Sequence, residues 1–220
     1  QPANRADFYI AQKVGSIQEE ADQRGLAHFL EHMAFQGTKN FPGKGIITSL
    51  EKHGVSFGRN INAYTAQNET VYNLSDVPTN SESLLDTCLL ILHDWSYYLT
   101  LEDDEIDAER GVITEEWRTR RTPQFRIQKQ MFPVLFKDSK YAIRDVIGNL
   151  DVIKNFKYQT IRDFYHEWYR TDLEAIAIVG DFDVAKMEQK VKELFSKIPA
   201  VENPTPRPFY EIPEHDEMYY

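Results

Sequence analysis

Two histidines and a glutamate fall within five residues at His28-Phe29-Leu30-Glu31-His32, in a chain with six histidines in all. On a helix, positions 28 and 32 are about one turn apart, so both imidazoles leave the same face. Two nitrogens at that spacing can reach one cation. Zinc fits that donor set, because imidazole is a borderline ligand and a catalytic zinc takes three protein ligands and keeps one position for water. Glu31 follows His28 by three residues and shares its side of the helix. There a carboxylate can take a proton from water held at the cation. The alternative is an amphipathic helix that carries two solvated histidines.

A two-histidine site needs a third donor, most simply a carboxylate. The segment EDDEIDAERGVITEEW, residues 102–117, reads as a charged helix. Glu109 and Glu116 are seven positions apart, about two turns, and face the same way. Glu115 is rotated about 100° from Glu116 and looks elsewhere. A solvated acidic face balanced by Arg110, Arg118 and Arg120 is the alternative for this helix. His53, His93, His166 and His215 have no partner at ligand spacing and are read as structural or solvated. The single cysteine, Cys88, sits among apolar residues and is read as a buried thiol. It excludes a disulfide within the chain and a cysteine zinc site.

These side chains need a scaffold. Phe8–Val14 has strand character, and Gly25–Gln36 reads as a helix with Leu26, Phe29, Leu30 and Met33 on one face. Ile46–Gly54 suggests a second short helix. Val55–Ala66 and Thr70–Val77 read as a hairpin turning at Gln67-Asn68-Glu69. Helices are predicted over Ser81–Leu101, Glu102–Arg121, Gln124–Phe136, Gln159–Tyr169 and Val184–Lys197, with a short strand at Ala175–Val179. Five of the ten prolines fall after Lys197, a composition suited to a linker. The pattern predicts a mixed sheet covered by helices on one side. The domain is expected over 1–200, with 201–220 leading toward the next unit of a longer parent chain.

Composition narrows the partners. With 35 acidic and 25 basic side chains the net charge is −10, which argues against nucleic acid or an anionic membrane. The apolar runs are too short to span a bilayer. The opening QPANRADFYIAQKVGS has neither an initiating Met nor a signal-peptide pattern, so we read the chain as a trimmed piece of something longer.

HFLEHMAFQGT, then NAYT followed by ETVY, then ERGVITEEW, and finally VGDFD before a helix together resemble the pitrilysin-like zinc peptidases. H-x-x-E-H is the signature of these inverzincins. The likeness runs over most of the chain in the family's order. It implies an α/β sandwich, a mixed, largely antiparallel sheet packed against helices, and a zinc endopeptidase domain with one zinc per chain, held by His28, His32 and Glu116. Glu31 matches the general base, and Glu109 an acid that orients a ligand histidine. Asn62, Ala63, Tyr64 and Thr65 match the family's edge strand, to which a peptide substrate adds itself as a further strand. The resemblance also implies a second homologous half, in the same parent chain or as a partner subunit, with a homodimer as another arrangement. The isolated domain is then expected to cleave peptides weakly. A periplasmic or secreted bacterial origin is the compartment expected from such relatives. Non-catalytic scaffold subunits of the same fold are the rival class, but they typically lose one of these positions, and none is lost here.

Overall fold

Apolar alternation organises the sheet. In the computed structural model, which describes residues 3–215, β1 (Arg5–Gln12) buries Ala6, Phe8, Ile10 and Gln12 and leaves the residues between them half-buried. Alternate side chains of a strand leave opposite faces, so one face of the sheet is pressed into the core. β2 (Ile61–Thr65), β3 (Thr70–Pro78) and β4 (Glu174–Gly180) complete four strands in the order β2-β3-β1-β4. Every strand pairing is antiparallel, and a single parallel bridge joins Phe57 to Ile61. The expected sheet is therefore present. β2 is an outer strand, and α1 (Leu26–Met33) packs against it.

Helices cover the buried face. α2 (Gly45–Glu51) follows α1, and α3 (Glu82–Tyr97) lies on β1 and β3. The Ser81 hydroxyl caps α3 by accepting the Leu84 N–H. α4 (Asp103–Thr119) runs through Gly111 without a break; a glycine there costs about 1 kcal/mol relative to Ala. α5 (Pro123–Leu135), α6 (Leu150–Asn155), α7 (Tyr158–Trp168) and α8 (Val184–Phe195) finish the set. Phe8, Phe29, Leu30, Tyr72 and Trp95 are all fully buried in one core. Each such side chain contributes about 1.5–3 kcal/mol by leaving water.

Two expectations change. The strand predicted from Val55 begins only at Ile61. Residues 56–60 instead form a tight loop in which Asn60 Oδ1 accepts the Ser56 N–H at 3.1 Å and Gly58 takes a φ of 79°, a conformation that favours glycine. The short helix α6 has no counterpart in the sequence reading; six residues are too few to reveal a helical period. From residue 199 on, no helix or strand forms among the described residues. This tail is still tied to the body: Arg207 Nε donates to the Lys13 carbonyl at 2.7 Å and Lys140 Nζ to the Tyr210 hydroxyl at 3.0 Å. Of the joining segment expected over 201–220, residues 216–220 lie outside the described residues. No helix among those described is long and apolar enough to cross a membrane.

Candidate metal centre

α1 buries Leu26, Phe29, Leu30 and Met33, and Phe29 meets Phe156 edge-on with ring centroids 4.9 Å apart. That packing fixes the roll of the helix and turns His28 and His32 toward α4. Their ring centroids lie 4.7 Å apart. On α4, Ile106, Glu109 and Ile113 form the buried stripe, and Glu116 continues it one turn later. The two helices thus face each other across the histidines.

The distances define a cluster. Glu116 Oε2 lies 3.5 Å from His28 Nε2 and 3.4 Å from His32 Nε2. One donor atom from each of the three residues falls within 4.8 Å of the others, the only such group of three or more among the described residues. Glu116 Oε2 is buried and no hydrogen bond completes it, while Oε1 pairs with Arg120. Two imidazole nitrogens and a carboxylate oxygen converging on one point fit a zinc ion's donor preferences.

Glu109 plays a different part. Its Oε1 accepts from His32 Nδ1 at 2.7 Å, and its Oε2 accepts from Gln36 Nε2 at 2.6 Å. With Nδ1 engaged there, His32 presents Nε2 to the cluster. Glu109 is buried with both oxygens occupied, so Glu116 is the carboxylate free to face a cation.

The charges follow from this arrangement. Burial, helped by the neighbouring His32, pushes His28 down to about 4. Burial also acts to lower His32, but its contacts with Glu109 and Glu116 prevail and raise it to about 9. The same contact is the main cause holding Glu116 down at about 2. Burial raises the Glu31 carboxyl, and the Thr65 hydroxyl pulls against it.

Glu31 stands beside the cluster at the wall of a cavity of 500 Å³ also lined by His32, Phe35, Phe57, Ala63 and Val112. Its Oε2 accepts from Thr65 Oγ1 at 2.6 Å. Of the strand residues singled out in the sequence, Asn62 and Ala63 line this cavity. Tyr64 is exposed and donates to Glu69 at 2.9 Å. Thr65 belongs to the same strand, and its hydroxyl donates to Glu31. Gln36 was not foreseen; Arg120 was named only as a partner of a solvated acidic face, and here it pairs with Glu116. Each lies four residues beyond a cluster member, His32 and Glu116, so helical spacing held the signal for both.

Residues 1–137 match the family model described as Insulinase (Peptidase family M16), and residues 155–219 match that described as Peptidase M16 inactive domain. The chain is 38% identical to the probable zinc protease PqqL of Haemophilus influenzae over 93% of its own length and 22% of that protein's. It superposes on the first half of the periplasmic protease PqqL from Escherichia coli with a TM-score of 0.90 at 36% identity, covering 98% of this chain and 45% of that one. The ferredoxin protease FusC, solved as a point mutant in complex with Arabidopsis ferredoxin, superposes with a TM-score of 0.87 at 32% identity, covering 96% and 23%. The chain thus spans about a fifth of the length of the curated relatives it matches. The PqqL relatives are named as probable zinc proteases; with a family model matched over more than half of its residues, the chain belongs to the insulinase family of peptidases, M16.

Proposed function

We propose that this chain is the zinc-bearing domain of an endopeptidase that hydrolyses peptides or unfolded segments. The convergence of His28 Nε2, His32 Nε2 and Glu116 Oε2 beside the Glu31 carboxylate carries the reading. One zinc per chain is held by these three residues. When bound, it supplies a Lewis acid that polarises the scissile carbonyl and makes nearby water more acidic. Glu31 takes the proton of the attacking water at its carboxylate and passes it to the departing amide nitrogen. The Thr65 hydroxyl holds one Glu31 oxygen, which aims the other. Glu109 keeps His32 in the tautomer that offers Nε2. The free outer edge of β2, at Asn62, Ala63, Tyr64 and Thr65, receives the peptide main chain as an added strand.

The relatives' greater length supports a second homologous half that completes the substrate site, in the same parent chain or as a partner. Residues 1–200 are then the zinc-bearing domain and 201–220 the joining segment. The periplasmic description of the Escherichia coli relative supports a periplasmic or secreted setting.

Metal analysis of the purified chain tests the site. About one zinc is expected in the wild type and in Glu31→Gln, with none in His28→Ala. A wild type without zinc sinks the assignment. Peptide hydrolysis by residues 1–220 as fast as by a longer form of the protein sinks the need for a second half.

A further inference from the structure

The helix that carries both histidines does not cap itself. Its N-cap residue is Gly25, which has no side chain and a φ of 105°. The first N–H groups of a helix have no partner within it and need an acceptor from elsewhere. Glu19 provides one for two of them. Its Oε2 accepts the Gly25 N–H and its Oε1 the Ala27 N–H, each at 2.9 Å. Ala27 immediately precedes His28. A carboxylate at this end of a helix also meets the positive end of the helix dipole.

Glu19 is 0% exposed. Burial pushes its carboxyl up to about 8, while the Ala27 and Gly25 N–H groups and the Arg144 charge act against burial. Both carboxyl oxygens serve as acceptors for the first turn of α1.

The segment bearing Glu19 is anchored on two sides. The Ser16 and Ile17 N–H groups donate to the carbonyls of Ala66 and Gln67, at 3.2 and 2.9 Å, just past the end of β2. On the other side, Arg144 Nε donates to the Glu19 carbonyl at 2.8 Å, and the Ser16 hydroxyl donates to the Arg144 carbonyl at 2.9 Å. Glu19 therefore joins the first turn of α1 to the hairpin that carries Thr65.

We propose that Glu19 is a positioning residue for the metal centre, gripping the first turn of α1 so that His28 and His32 meet Glu116 and Glu31 meets Thr65. This rests on the zinc assignment above. The adjacent Glu20 is exposed, and its carboxylate meets Lys140 at 3.4 Å rather than the first turn of α1. The role therefore belongs to position 19.

The test is zinc affinity of the full chain by chelator competition, with the absorption of the cobalt-substituted protein as a readout of ligand geometry. Glu19→Gln keeps size and shape but turns an amide N–H₂ toward one of the two N–H donors. A zinc affinity about tenfold weaker is expected, with an altered cobalt spectrum. Ser81→Ala removes the cap of α3, remote from the metal, and serves as the control for general destabilisation. It is expected to lower the melting temperature and leave zinc affinity unchanged. If Glu19→Gln does not fold, Glu19→Asp takes its place; it keeps the charge but is too short to span both N–H groups, and weaker binding is again expected. Wild-type affinity and spectrum in the Glu19 variant overturn the inference. So does an equal loss of affinity in Ser81→Ala. A wild type that binds no zinc overturns the metal assignment and this inference with it, so the two failures are distinct.

Discussion

His32 Nδ1 lies 2.7 Å from Glu109 Oε1, and this short contact gives Glu109 and Glu116 on α4 unequal work. Glu109 spends both oxygens on His32 and Gln36. Glu116 leaves Oε2 uncompleted beside two imidazoles. A shared helical face could not separate these roles.

Glu116→Gln is expected to abolish tight zinc binding, whereas Glu109→Gln weakens it by about 10–100-fold, the usual effect of removing a partner of a ligand histidine. Chelator competition measures both. Equal losses in the two variants would contradict the division of roles.

Thr65→Val removes the hydroxyl that holds Glu31 while keeping the shape of the side chain. Zinc content should stay at the wild-type level. Peptide hydrolysis by the full-length protein should fall about tenfold in kcat, with little change in KM, because proton transfer depends on the aim of the base. A change confined to KM would place Thr65 in substrate binding instead.

Glu174, at the start of β4, sets a pH dependence of stability far from the metal. Burial pushes its carboxyl up to about 7, against the hydroxyl of Ser96, which lies 2.8 and 2.7 Å from its two oxygens. In the unfolded chain it titrates near 4.5. Between these values the folded state holds a proton that the unfolded state has released, so this group makes stability fall as pH rises from about 4.5 to 7. Above that window the loss is complete and constant. Glu174→Gln removes the dependence and should be more stable than wild type by about 1–3 kcal/mol at pH 8, converging near pH 4.5. Urea unfolding at the two pH values checks this.

Asp94 is 0% exposed and organises the loop that follows α1. Its Oδ2 accepts from Thr38 Oγ1 at 2.7 Å and from the Asn40 N–H at 2.8 Å, and its Oδ1 from Asn40 Nδ2 at 2.8 Å. Asp94→Ala strands these donors and should cost about 2–4 kcal/mol of stability. Denaturant titration measures it. A cost below about 0.5 kcal/mol, the range of ordinary surface changes, would count against the network.

Much of the site was legible because its spacings are local. His28, Glu31 and His32 sit one turn apart on α1, and Glu109 and Glu116 two turns apart on α4, so helical geometry alone predicts shared faces. The pairing of the two helices was supplied by resemblance to a family. Periodicity on one helix does not say which other helix it meets. The contact of Thr65 with Glu31 and the role of Glu19 were missed for the same reason. Thr65 is 34 positions from Glu31, and Glu19 lies in a polar stretch that reads as a loop. Their partners are set by tertiary packing, and a carboxylate bound for burial looks in sequence like one bound for water. The strands of the sheet were recovered from the strand character of Phe8–Val14, the short apolar run Ala175–Val179 and the hairpin pattern before Pro78. Residues 55–60 were misread because β-branched and aromatic residues there outweighed the turn signal of Gly58.

Thr65 belongs to the strand whose free edge, on the proposed reading, receives the substrate, and its hydroxyl touches the base. Alignment and chemistry are therefore referred to the same length of backbone. A peptide that slips by one residue along β2 reverses which of its side chains face the domain, yet it still presents an amide bond to Glu31. On that reading such an enzyme would measure where a chain lies more than which residues it contains, and its selectivity would fall on whether a segment can be drawn out straight.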